Sequence, residues 1–246
     1  MLDLSAGMYL MDECRVFHPY LEELVKNRKW FILNETIRSI QQDVEQVVIL
    51  GSGLDTLSLE LAWLKDSVMI YEVDVAQMEL KEKIIRYAVP NAASRIRCVA
   101  ADLAQTKEVV RKIKEAGWDE TKASVVVLEG ISYYLKPRQM WDSIRGLDIC
   151  KKNVNILEYI TPAECIQPDR ASIPDRVFDI IQRSISEPMQ IERFSYETLL
   201  KQAEIAGYDV VSRSTMQEIE KRRTGANRYY PTTSSGWVET ILLRSK

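Results

Sequence analysis

VVILGSGLDT, residues 47–56, carries the clearest indication of the fold of this 246-residue chain. Its apolar, mostly β-branched start predicts a buried strand, its two glycines a tight turn, and the residues after Asp55 a helix. Such a turn lets a ligand approach bare backbone at a helix N-terminus. Thr56 stands where the dinucleotide-binding fingerprint has a third Gly or Ala. The stretch therefore predicts the first strand, turn and helix of an α/β domain.

The same alternation continues along the chain. Short apolar runs predict strands at 46–50, 67–73, 95–100, 124–129 and 154–159. The segments between them have helical periodicity, at 56–64, 76–87, 106–116 and 137–150. A repeated strand and helix predicts a parallel sheet that is covered by helices on both faces.

The end of the chain breaks this alternation. A helix at 196–206 ends at Gly207, and a strand follows at 208–212. A long loop then leads to the last strand at 237–244. A short helix at 216–223 lies within this connection, and the final loop is taken as 221–236, so the two ranges overlap at 221–223. No long crossover helix precedes this strand, so we expect it to run antiparallel to its neighbours. The prediction is one α/β domain over residues 1–246, with a doubly wound, seven-stranded, mostly parallel sheet and a reversed last strand.

Two segments lie outside the sheet pattern. Residues 1–42 form a helical preface, since apolar residues recur at helical spacing over 17–42. Residues 161–194 follow the fifth strand and contain an amphipathic run: Ile173, Val177, Phe178, Ile181 and Ile185. Ligands of open α/β sheets bind at the carboxyl ends of the strands. We therefore interpret 161–194 as a lid or a wall of the substrate site.

Composition excludes several classes of partner. The 33 basic residues are outnumbered by 36 acidic ones and form no basic stripe, so no nucleic-acid partner is expected. No apolar run approaches the ~20 residues of a membrane helix, so no membrane partner is expected. The four cysteines are scattered and only one histidine is present, which predicts no metal site and a cytoplasmic protein with free thiols.

Acidic residues end three successive predicted strands. Asp74, about twenty residues beyond the glycines, is placed to accept ribose hydroxyls. Asp102 and Glu129 end the next two strands. Carboxylates that converge on one crevice are costly unless they bind hydroxyls, amines or cations.

Four motifs together resemble the leucine carboxyl methyltransferase family, which includes polyketide-pathway O-methyltransferases: LGSGLDT at 50–56, EVD at 72–74 with Lys81 after it, ADL at 101–103 and EGISYYL at 129–135. This resemblance covers residues 28–135 and implies a Rossmann-like methyltransferase fold with S-adenosyl-L-methionine as cofactor. By the family pattern, Gly51 and Gly53 pass beneath the amino acid end of the cofactor and Asp55 steadies their turn.

The resemblance also assigns the remaining cofactor contacts. Asp74 would hold the ribose, Asp102 with Leu103 would meet the adenine, and Glu129 would face the methionine amino group. Family members have an arginine before the first strand that pairs with the cofactor carboxylate. Arg28 has the matching spacing and is favoured over Arg38.

Methyl transfer from a sulfonium is an in-line displacement that needs alignment rather than a nucleophilic side chain, so no essential catalytic residue is expected. A carboxylate acceptor is ionised at neutral pH and needs no base, whereas a phenol benefits from one. The absence of a histidine near the motifs thus favours a carboxylate slightly. Candidates for the acceptor pocket are Tyr133, Tyr134, Glu158, Tyr159, Arg223 and Arg228. The two arginines indicate an anionic acceptor.

The function predicted from the sequence is O-methylation of a carboxylate or hydroxyl on a small molecule or a peptide end. Two alternatives stay open. A dinucleotide-dependent oxidoreductase is disfavoured by Thr56 and by the reversed last strand. A protein that binds S-adenosyl-L-methionine without turnover would keep the same motifs.

Overall fold

A single seven-stranded sheet organises the described part of the chain, residues 5–42, 44–64, 67–183 and 188–246 of a computed structural model. The strands in chain order are β1 (Gln46–Leu50), β2 (Met69–Asp74), β3 (Ile96–Ala100), β4 (Ser124–Leu128), β5 (Val154–Ile160), β6 (Tyr208–Thr215) and β7 (Val238–Ser245). Their spatial order is β3-β2-β1-β4-β5-β7-β6. β7 pairs antiparallel with both β5 and β6, and the other pairings are parallel. The predicted sheet, with its reversed last strand, is confirmed.

Helices cover both faces of the sheet, and they are α1 (Ser5–Arg15), α2 (Leu21–Ile40), α3 (Leu57–Leu64), α4 (Met78–Ala88), α5 (Thr106–Glu115), α6 (Pro137–Leu147), α7 (Ile173–Arg183), α8 (Tyr196–Ala206) and α9 (Met216–Thr224). Every residue of β1 is buried, because the strand is central and side chains alternate between two cores. Val47 and Ile49 join the core under α2, whereas Val48 and Leu50 join the core under α5, α6 and α8.

The helical preface consists of α1 and α2. α2 lies across the sheet and packs against α9, α3, β4 and β5. Its buried side chains include Phe31 and Ile32 on the core face. This position brings the middle of α2 over the carboxyl ends of β4 and β5, where the sequence predicts a ligand.

The segment between β6 and β7 contains the predicted short helix, which is α9, but differs from the prediction on either side of it. β6 continues to Thr215, whose side chain caps α9 through the N–H of Glu218, while the Glu218 carboxylate accepts from the Thr215 N–H. Residues 221–224 therefore belong to the last turn of α9, and the loop predicted to begin at 221 begins after Gly225. Arg223 is a helical residue for this reason.

α7 is the helix predicted within 161–194, although Ile185 lies outside the described residues. Its apolar side, with Val177 and Phe178, packs onto the same core as α2. No helix in the described ranges has the length and apolar character needed to cross a bilayer.

Candidate functional site

The glycine turn after β1 is tied to the end of β2. The Gly51 N–H donates to the Val73 carbonyl at 2.8 Å, and the Gly53 N–H donates to Asp74 Oδ2 at 2.9 Å. Gly51 has φ +66° and Gly53 has φ +45°, in the left-handed region that favours glycine. A Cβ at Gly51 would lie 2.6 Å from Ile131 Cγ1, but a Cβ at Gly53 would meet no described heavy atom within 4 Å. The Gly53 side of the turn is thus open to a ligand.

A buried ion pair contacts the backbone of this turn. Lys81 Nζ lies 2.7 Å from Glu72 Oε1 and donates to the Ser52 carbonyl at 3.3 Å. Both side chains are almost fully buried, so each charge depends on the other. Asp55 completes the turn by accepting the Leu57 N–H at 2.8 Å at the start of α3.

Two cations from α2 meet the carboxylates at the strand ends. Arg28 Nε lies 2.9 Å from Glu129 Oε1 and 3.4 Å from Glu158 Oε2. Lys29 Nζ lies 2.8 Å from Glu129 Oε1 and also pairs with Asp55. The structure therefore joins three predicted cofactor residues, Arg28, Asp55 and Glu129, in one network.

The charges of this network reinforce one another. Burial alone would lower the pKa of Arg28, but Glu158 and Glu129 outweigh it and raise the pKa above its ordinary value. The pKa of Lys29 rises in the same way, because Glu129 and Asp55 outweigh burial. Lys29 was not predicted as a site residue, because consecutive residues of a helix project about 100° apart and the sequence does not show that both reach Glu129.

Glu158 is the deepest member of the network. Its side chain is fully buried, and its Oε1 accepts the Gly130 N–H at 3.2 Å. Burial raises the pKa of Glu158 to about 7 against the pull of Arg28, and the nearby Glu129 carboxylate adds to the rise. Glu158 is therefore the site carboxyl that can exchange a proton near neutral pH.

The end of the site at which the sequence predicts ribose and adenine contacts is more open. Asp74 Oδ1 accepts the Ala76 N–H at 3.3 Å, which leaves its carboxylate at the mouth of the glycine turn. Asp102, after the neighbouring strand β3, is exposed and accepts the Ala104 N–H at 2.9 Å, while Leu103 is buried in the core. No contact between Asp74 and Asp102 is present among the described residues, although their strands are paired.

An aromatic wall, which we define as Tyr133, Tyr134, Phe178 and Trp237, packs beside Glu158. The ring centroid of Phe178 lies 5.5 Å from that of Tyr133 and 6.3 Å from that of Trp237. The ring centroids of Tyr133 and Tyr134 are 4.8 Å apart. Burial raises the pKa of Tyr133 well above its ordinary value, and the Glu158 charge adds to this rise. Phe178 comes from α7, so the insertion after β5 contributes to the wall.

The remaining pocket candidates are engaged elsewhere. Tyr159 points to the opposite face of the sheet from Glu158, where its hydroxyl donates to Glu239. Arg223 lies on α9, where its Nε donates to Asn27 Oδ1 at 2.7 Å and its Nη2 pairs with Glu23. Arg228 is exposed on the loop after α9. The structure thus brings together Tyr133, Tyr134 and Glu158, but it does not add Tyr159 or the two arginines to that group.

Comparison with known proteins gives a family match over the same region. The family model described as leucine carboxyl methyltransferase matches residues 12–147. A Mycobacteroides abscessus protein named as an S-adenosyl-L-methionine-dependent methyltransferase is 34% identical over 134 residues, 53% of this chain and 40% of that protein. A protein of the same description from Mycobacterium tuberculosis is 35% identical over 96 residues, 39% of this chain and 30% of that protein. The matches thus span less than half the length of these relatives.

Solved structures share the fold at low identity. A methyltransferase from Thermobifida fusca superimposes with a TM-score of 0.73 at 14% identity, covering 98% of this chain and 89% of that one. A DUF574-family protein from Streptomyces avermitilis gives a TM-score of 0.76 at 12% identity, with 98% and 91% covered. Magnesium protoporphyrin IX methyltransferase from Synechocystis, solved with S-adenosylhomocysteine (SAH) bound, gives 0.57 at 10% identity, with 98% and 95% covered.

Proposed function

Because the chain belongs to the leucine carboxyl methyltransferase family, we propose that it is an S-adenosyl-L-methionine-dependent O-methyltransferase. Its acceptor is a carboxylate or a hydroxyl of a small molecule or a peptide end. The observation that carries the proposal is the meeting of Arg28 and Glu129, 2.9 Å apart, in a network that Lys29 links to Asp55 of the glycine turn.

The residues present fit the cofactor. Gly53 leaves free space where a side chain would stand, and its N–H already orients the Asp74 carboxylate. Arg28 and Glu129 have the opposite charges needed to bind the carboxylate and the ammonium of an amino acid end. When bound, S-adenosyl-L-methionine supplies a methyl group on a positively charged sulfur.

The protein's own contribution is alignment and exclusion of water. Asp74 accepts hydrogen bonds from the ribose hydroxyls, and Asp102 with Leu103 borders the adenine. The aromatic wall closes the acceptor side, because Tyr133, Phe178 and Trp237 are all buried. Exclusion of water strengthens the electrostatic interactions inside such a site.

A dinucleotide oxidoreductase is not favoured by these findings. β7 is antiparallel to both of its neighbours, and the family match is to a methyltransferase. Binding of S-adenosyl-L-methionine without turnover is the alternative that an activity measurement distinguishes.

Calorimetric titration with SAH and with NAD tests the cofactor. The protein is expected to bind SAH and not NAD, and Arg28→Gln is expected to weaken SAH binding at least about tenfold, since a charge-assisted contact is lost. Arg38→Gln is the matched control, because Arg38 lies on the same helix and pairs with Glu35 away from the strand ends. Equal affinity in the two variants, or preference for NAD, contradicts the proposal. Release of SAH with a panel of acids and phenols then separates turnover from binding alone.

A further inference from the structure

Glu158 is a buried carboxylate whose charge is only partly compensated. One of its oxygens accepts the Gly130 N–H, but Oε2 accepts no hydrogen bond of good geometry from any residue that the structure describes. Its nearest cation, Arg28, lies closer to Glu129 than to Glu158. Buried polar atoms normally have a partner, so an orphaned carboxylate oxygen needs a reason.

Cofactor binding does not supply that reason. The charged residues assigned to the amino acid end of the cofactor are Arg28 and Glu129, and neither requires a second carboxylate beside Glu129. A second carboxylate weakens the network, because like charges in one buried site repel. Glu158 instead borders the aromatic wall, because its charge acts on the buried Tyr133 hydroxyl and contributes to the raised pKa of Tyr133.

We propose that Glu158 is the general base for a hydroxyl acceptor, a phenol in particular, which binds against the aromatic wall. This inference rests on the proposed methyltransferase function and narrows its substrate class. The aromatic wall suits a flat apolar acceptor, since aromatic rings pack well edge to face or offset. The phenol then replaces the anionic acceptor that Arg223 and Arg228 indicated, because Arg223 donates to Asn27 on α2.

The proton and the electrons of the reaction balance on these groups. The acceptor O–H proton moves to Glu158 Oε2, and the O–H electron pair stays on the acceptor oxygen. That oxygen forms the new bond to the methyl carbon, and the electron pair of the broken carbon–sulfur bond stays on sulfur. A neutral methyl ether, SAH and a protonated Glu158 result.

The charges around Glu158 favour a neutral acceptor over an acid. The groups that face it are Arg28 and Lys29 from α2, Glu129 after β4 and Tyr133 from the following turn; Thr240, its partner on β7, is uncharged. With Asp55, three carboxylates face two cations, so the site is negative by one charge when Glu158 is ionised. The cofactor has a net positive charge and cancels this excess. An acid acceptor would add a negative charge with no partner.

The first experiment measures the proton on Glu158 directly. Carbon NMR of protein labelled at the glutamate carboxyl carbon, compared with Glu158→Gln, assigns the Glu158 signal. We expect this signal to titrate within about one unit of neutral pH, because its environment disfavours the charge. Titration at the ordinary value of about 4.3 overturns the proposal. Glu158→Asp provides the assignment if Glu158→Gln does not fold.

The second experiment separates the base from the cofactor site. SAH release is measured with matched pairs of acceptors, each a phenol and the benzoic acid of the same skeleton, for the wild type, Glu158→Gln and Glu158→Asp. Glu158→Gln should lower kcat with phenols by about 100-fold or more, while the Kd for SAH stays within a few fold. Glu158→Asp should restore part of kcat with a shifted pH profile, which a purely structural role would not do.

Each failure has a distinct meaning. If neither wild type nor variant binds SAH, the methyltransferase function fails. If SAH binds but no phenol is methylated, whether or not the acids are, the general-base role is refuted. The role is also refuted if Glu158→Gln retains kcat with phenols. In these cases the methyltransferase function stands or falls on its own test.

Discussion

Replacement of Gly51 by alanine should destabilise the protein strongly, whereas the same change at Gly53 should mainly remove cofactor binding. At Gly51 the new Cβ would lie 2.6 Å from Ile131 Cγ1 and 2.8 Å from Ile131 Cβ. Both glycines have positive φ, so both pay the left-handed penalty of about 1–2 kcal/mol. Only Gly51 adds the cost of overpacking, about 1–3 kcal/mol. The expected loss is therefore about 2–5 kcal/mol at Gly51 and about 1–2 kcal/mol at Gly53.

Urea unfolding at equilibrium measures these differences, provided that the slope with denaturant is unchanged. Ile131→Ala is the informative background, because it removes the atoms that the new Cβ would meet. In that background the cost of Gly51→Ala should fall to the conformational part, about 1–2 kcal/mol. Calorimetry with SAH should show that Gly53→Ala, though folded, has lost affinity. Equal destabilisation by the two alanines, or an unchanged cost of Gly51→Ala in the Ile131→Ala background, would refute the close contact as its cause.

The other predictions concern cofactor binding, helix packing and pH. Asp74→Ala should weaken SAH binding about ten- to a hundredfold in calorimetry, since hydrogen bonds to a charged group are lost. Asp102→Ala, at an exposed position, should weaken it less than about tenfold. The reverse order of the two affinities would contradict the proposed cofactor contacts. Arg223→Gln should lower the free energy of unfolding by about 1–3 kcal/mol, whereas Arg228→Gln, on the exposed loop, should lower it by less than about 0.5 kcal/mol. Equal losses in the two variants would contradict the role of Arg223 in helix packing. Burial lowers the pKa of His18 to about 4 from 6.5. Its neutral form therefore stabilises the protein fully above about pH 6.5, and about 3 kcal/mol is lost as the pH falls through 4. Urea unfolding between pH 7 and pH 4 should show a smaller loss for His18→Gln, and an unchanged pH dependence would exclude His18 as the cause.

Local patterns were sufficient to predict the sheet. Strand runs such as 46–50 and 124–129 are short, apolar and bounded by turn residues, and the glycine turn marks where the first helix starts. The reversal of β7 followed from the lack of a crossover helix before it. These features depend on neighbours in the sequence, which is why they could be predicted without contacts. The same holds for the strand ends that carry Asp74 and Glu129.

The pairing of distant charges could not be predicted in this way. Arg223 and Glu23 are 200 positions apart, and no periodicity connects them. An arginine where a predicted short helix meets a loop is equally compatible with an anionic ligand and with a helix partner. The raised pKa of Glu158 also depends on its full burial beneath α2. Burial is a property of the packed structure rather than of the strand that carries Glu158.

The two sets of contacts made by α2 explain why its arginine reaches the strand ends. Glu23 and Asn27, one turn apart, and Glu35, two turns further on, accept hydrogen bonds from Arg222 and Arg223 of α9. Arg28 is seven positions before Glu35, so it projects from nearly the same side of α2, and Lys29 projects about 100° further round the helix; both reach Glu129. The arginines of α9 thus fix the rotation of α2 about its own axis. A rotation of one residue, about 100°, would take Arg28 away from the carboxylates. Arg223, which the sequence suggested for binding an acceptor, therefore helps to hold the helix that carries Arg28, the arginine proposed to bind the cofactor.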